Sequence, residues 1–145
     1  MTTLAHRLTT APRPVETKSS ERRVAHVLHE ASADLSARLE TLFRDAQHVH
    51  PLLTAVAGHS PYLWRLVQRD PARLVTLLDS DPDQRFAALL AYCRAASSLP
   101  TADETALKRV LRLIKQEAAL LIALCDLGGV WDVVRVTRSE EHTSE

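Results

Sequence analysis

The chain has 145 residues, of which 46% are hydrophobic and only 4% aromatic, with three glycines and a formal balance of 18 basic against 18 acidic side chains. A chain of this length can bury a core of its own, and its neutrality gives no electrostatic reason to expect a nucleic-acid or membrane partner. The bias toward Ala, Leu, Val and Arg favours helices over sheet, so the expected class is all-α.

The first 20 residues, MTTLAHRLTTAPRPVETKSS, mix Thr, Pro and Ser without apolar periodicity or a continuous hydrophobic stretch. They read as a flexible leader and not as a signal peptide. Residues 21–137 carry the helical pattern. Apolar side chains fall at Val24, Leu28, Ala31, Leu35, Leu39, Leu42 and Ala46, with no Gly or Pro between Val15 and His50, which predicts one long amphipathic helix or two in line. Prolines then punctuate the chain at His50-Pro51, Ser60-Pro61, Asp70-Pro71 and Asp81-Pro82. Proline suits the first helical turn, and a Ser or Asp before it can cap free N–H groups, so a short helix is expected to open at each pair. Gly58 is expected to end the first of these, and a helix over 82–96 to bury Phe86, Leu89, Leu90 and Cys93.

The most specific segment begins at Leu107. Leu107, Val110, Leu111, Ile114, Ala118, Leu121, Ile122 and Cys125 recur in steps of three and four, on one face of a helix. Thr101 and Glu104 are spaced as a capping box at its start, and Gly128 suits a left-handed residue past its end, which gives a helix of about 26 residues, or roughly 39 Å. Residues 118–125 have no polar face, so this part is expected to enter the centre of a helical assembly and to need cover on both sides, including from elements that follow it. Eight apolar residues are far short of the roughly 20 that span a bilayer. The sum is an all-α bundle of six or seven helices with no sheet.

Several groups of residues invite a chemical reading, and each has a plainer one. Asp79, Asp81 and Asp83 resemble the opening of a calcium loop, but Gln84 stands at the sixth loop position where Gly is needed and Leu90 at the twelfth where Glu belongs. Helix capping accounts for them better. His26 and His29, with His48 and His50, lack the third or fourth converging ligand that zinc requires. Lys108, Arg112 and Lys115, beside Arg109, form a basic stripe with no interleaved aromatic to stack bases, which favours a solvated face or a protein contact. Trp64 and Trp131 are expected in the core, and Cys93 and Cys125 as reduced thiols of a cytoplasmic protein. No residue is assigned a catalytic, cofactor-binding or metal-binding role.

The run from Leu111 to Thr137 resembles a segment of bacterial glutamine synthetase adenylyltransferase/adenylyl-removing enzymes. The likeness is carried by Leu111, Arg112, Lys115, Ala119, Leu120, Ile122, Ala123, Asp126, Leu127, Gly129, Val136 and Thr137. A second stretch over 59–78, HSPYLWRLVQRDPARLVTLL, is similar to an upstream helical segment of the same enzymes, in the same order. Together they span about 52–137 and form a packing pattern, not a catalytic motif. The resemblance implies the N-terminal helical region of the adenylyl-removing half, in an enzyme that adenylylates a tyrosine of glutamine synthetase and removes the AMP by phosphorolysis. It implies ATP and Mg²⁺ for that enzyme but no cofactor for this part, and glutamine synthetase and a nitrogen-signalling regulatory protein as partners. The alternative is a free-standing helical interaction module.

The family pattern breaks after Thr137. Residues 138–145, RSEEHTSE, are what the start of a common short-read sequencing adapter encodes in one frame, and they are expected to be an artefact. Without them the balance is 17 basic to 15 acidic residues, or +2.

Overall fold

A computed structural model describes residues 2–14, 16–98 and 103–131 of the protein, and among these it contains eight helices and no strand. They are α1 Leu4–Arg7, α2 Thr17–Glu30, α3 Ala33–Asp45, α4 Val49–His59, α5 Pro61–Arg69, α6 Pro71–Leu78, α7 Pro82–Ser98 and α8 Glu104–Leu127. The all-α class holds, with one or two helices more than the periodicity predicts.

Three of the four proline signals mark helix starts by the expected chemistry. The Ser60 hydroxyl accepts from the Leu63 amide at 3.2 Å, Asp70 Oδ1 from Arg73 at 3.1 Å, and Asp81 Oδ1 from both Asp83 and Gln84 at 2.9 and 3.1 Å. In each case a proline follows the cap, where its missing N–H leaves no helical bond unmade. At the fourth, α4 opens two residues earlier, at Val49, which leaves Pro51 within the first turn. Gly58 does not end α4. Ser60 does, serving as the C-cap of α4 and the N-cap of α5.

The apolar repeat over 24–46 is two helices. Ser32 takes an extended conformation and caps α3 by accepting from the Leu35 amide at 3.3 Å, while the Ser36 hydroxyl donates back across the break to the Leu28 carbonyl. A serine two residues before an aspartate is the start signal here, at a break that neither Gly nor Pro marks.

The expected leader of residues 1–20 is a correction. Leu4, Ala5 and Leu8 are buried in the core, the Leu4 amide donates to the Ser80 carbonyl at 2.8 Å, and α2 already begins at Thr17. Leu4 and Leu8 are four residues apart, so a single turn of helix presents both to the same surface. The segment is too short to show periodicity and gains its order from distant partners.

α4 is the central helix. Val49, Leu52, Leu53, Ala55, Val56 and Ala57 are buried on all its sides, and Thr54 is accommodated among them by donating its hydroxyl to the His50 carbonyl at 2.9 Å. Around it α2 packs on α4, α5 on α4, and α3 on α6, while α7 packs on α8. None of residues 118–125 is exposed, and Leu120, Leu121, Leu124 and Cys125 are fully buried. Ala118, Ala119, Ile122 and Ala123 are only partly covered. Among the described residues no helix is long and apolar enough to cross a membrane.

The two glycines after α8 have separate reasons. Gly129, not Gly128, is the left-handed residue, with φ +71°, and the Val130 amide bonds Cys125 O at 2.8 Å while the Gly129 amide bonds Asp126 O at 3.3 Å. These two bonds are the Schellman closure of a helix end. Gly128 is needed for close approach. A Cβ there would meet the Leu8 side chain and stand 2.7 Å from the Leu124 carbonyl oxygen, and the Gly128 carbonyl accepts from the Thr9 amide at 2.8 Å. At the other end Asp103 caps α8, accepting from Ala106 at 3.0 Å, so the helix has 24 residues. Thr101 and residues 132–145, with the expected artefact over 138–145, lie outside the described residues.

Candidate functional site

The residues with chemical promise are positioned by helix ends and helix faces. Asp79 ends α6 and holds Arg38 of α3 through two bonds, at 3.0 and 2.5 Å, which together with its charge raise the arginine's pKa above its ordinary value. Asp81 caps α7. Asp83 accepts from Arg7 Nη1 and Trp131 Nε1, each at 2.9 Å, and so joins α1, α7 and the residue chain after α8. The three aspartates therefore point to three separate structural tasks. Among the described residues no group of three or more His, Cys, Asp or Glu side chains is placed to hold a metal ion.

The histidines do not converge either. His50 stands edge-on to Phe43 with ring centroids 5.0 Å apart, and His26 lines a shallow cleft at the α2–α3 break. Trp64 and Trp131 are buried, Trp131 against Phe86 at 5.5 Å, and Cys125 is buried while Cys93 is partly exposed. Arg85 of α7 bonds Glu117 of α8 at 2.6 Å, and that bond raises the arginine's pKa against the opposing effect of burial. Arg23 and Arg73 donate to the carbonyls of Ala57 and Leu66. These cations are used by the fold itself.

The basic stripe is different. Lys108, Arg112 and Lys115 fall on one face of α8, and α5 brings Tyr62 opposite them, so that with Leu111 and Gln116 they line an open groove of about 380 Å³. Tyr62 is 51% exposed. The sequence announces the three cations. It does not announce Tyr62, whose place depends on how α5 lies against α8.

What the fold and surface define is a helical packing module whose aspartates serve its own architecture and whose basic groove faces outward. The chain belongs to the glutamate-ammonia ligase adenylyltransferase family, whose model matches residues 50–140. Among similar proteins, a bifunctional glutamine synthetase adenylyltransferase/adenylyl-removing enzyme of Bradyrhizobium diazoefficiens is 47% identical over 138 residues, 92% of this chain and 13% of its own length. Two enzymes of that description from Rhodopseudomonas palustris strains are 42% and 40% identical over 136 residues, 94% of this chain and 14% of theirs. The chain thus spans about 13–14% of the length of these relatives. No solved structure matches it.

Proposed function

We propose that this chain is a helical scaffold region of an enzyme that controls glutamine synthetase by adenylylating a tyrosine and removing the AMP by phosphorolysis, and that the chemistry is carried by residues outside this chain. The observation that supports this most directly is the engagement of the acids. Nucleotidyl transfer draws on carboxylates that converge on metal ions beside the transferring phosphoryl group. Asp79 is spent on Arg38, Asp81 on the first turn of α7, and Asp83 on Arg7 and Trp131. These three aspartates are therefore not arranged as a Mg²⁺–ATP site. ATP and Mg²⁺ belong, on this reading, to the parent enzyme, which works in the cytoplasm with glutamine synthetase and a nitrogen-signalling regulatory protein as partners.

The test is an assay of the purified chain with ATP, Mg²⁺ and glutamine synthetase, and separately with phosphate and adenylylated glutamine synthetase. No turnover is expected in either direction, whereas the parent enzyme should perform at least one of them. Turnover that vanishes in Asp79→Asn or Asp81→Asn would place the chemistry inside this chain and overturn the proposal. Genomic sequence past codon 137 separates the scaffold reading from a free-standing interaction module, which requires a stop codon there.

A further inference from the structure

We infer that the α5–α8 groove is a docking site for an acidic amphipathic helix of a second protein. The inference goes beyond the catalytic reading and does not depend on it. Its first support is the contrast between cations. Arg7, Arg38 and Arg85 are paired with acids, and Arg23 and Arg73 with carbonyls, so that each stabilises the fold. Lys108, Arg112 and Lys115 have no such partner among the described residues, although holding three like charges on one helix face is itself unfavourable. The second support is the sign of the lining. The neighbouring groove between α6, α7 and α8 mixes Asp70, Arg73, Arg85 and Glu117, whereas the ionisable cations of the α5–α8 groove meet no carboxylate.

The third support selects the chemistry of the partner. Lys108, Arg112 and Lys115 span eight residues of helix, about 10 Å along the axis, which matches carboxylates at i, i+4 and i+7 of a second helix lying along α8. Between the cations lie the half-buried Leu111 and, across the groove, the half-exposed Tyr62, a small apolar floor that an aliphatic side chain of such a helix would cover. A phosphate backbone would leave that floor wet. Apolar anchors flanked by complementary charge are the pattern of helix-in-groove recognition.

The experiment uses the full chain and a fluorescein-labelled 16-residue peptide with Glu at i, i+4 and i+7 and Leu at the intervening inward positions. Anisotropy should show saturable binding that weakens about tenfold or more between low and 0.5 M salt. The variant Lys108→Glu/Arg112→Glu/Lys115→Glu should abolish binding with an unchanged circular dichroism spectrum, since all three positions are exposed. Tyr62→Ala should weaken it several-fold, as should replacing the peptide's leucines by serine. Binding that survives charge reversal would overturn the inference. So would equal binding of the leucine-free peptide, or equally effective competition by a single-stranded oligonucleotide, since either would reduce the groove to a non-specific cationic surface.

Discussion

Both halves of α8 carry apolar residues, six of twelve over 104–115 and nine of twelve over 116–127, and they meet opposite fates. Over 118–125 every side chain is buried or half-buried, whereas in the first half Val110 and Leu113 are 46% and 52% exposed and Leu107 and Leu111 are only partly covered. The difference lies in what reaches them. The second half is packed within the core and its end is sealed by Leu8, just after α1, while the first half has α7 along one side and open grooves beside it. An apolar residue on a helix records that a surface is meant to be covered, but the cover is a property of the assembly.

This contrast can be broken most decisively by truncating one leucine in each half. Leu124 is fully buried, so Leu124→Ala should cost about 3–5 kcal/mol through lost transfer energy and the cavity left behind, whereas Leu113→Ala should stay within about 0.5 kcal/mol of the parent. Urea denaturation of the two variants reads both values, and equal losses would refute the contrast. A smaller effect tests the cover itself. Leu8→Ala, at 5% exposure on the edge of the core, should cost about 2–3 kcal/mol. A change near zero would restore the flexible leader and leave Gly128 without a reason to lack a side chain.

The smallest expected effect is none. Residues 138–145 contain no apolar side chain to bury, so a chain ending at Thr137 should keep the melting temperature of the whole. A loss of several degrees would show that the closed end of α8 draws support from that tail.

What was readable in the sequence was local. Ser60, Asp70 and Asp81 cap helices because the bond each makes reaches only two or three residues, and the spacing of residues within one helix face is likewise set by the helix itself. The break at Ser32 was also local, and of the two readings of the apolar repeat, one long helix or two in line, the second holds. The misses elsewhere were tertiary. Leu4 and Leu8 owe their order to elements more than 70 residues away, as the bond from Leu4 to Ser80 shows. The assignment of the left-handed residue to Gly128 instead of Gly129 failed because the need for a bare Cα at 128 comes from Leu8, which no pattern within α8 contains. The groove was half legible for the same reason: its cations share a helix, and its tyrosine arrives on another.

The bonds from Thr9 to Gly128 join residues 119 positions apart. During synthesis, then, Thr9 leaves the ribosome 119 residues ahead of the glycine that it bonds. At the ~5–20 residues per second of translation, α1 waits on the order of ten seconds for the end of α8 to be made. Throughout that interval Leu4 and Leu8 have no α8 terminus to meet, and the helices between them assemble around an open end. Contact between the segment around Thr9 and the end of α8 is thus made late in the synthesis of this region, and it is the double glycine that admits that segment.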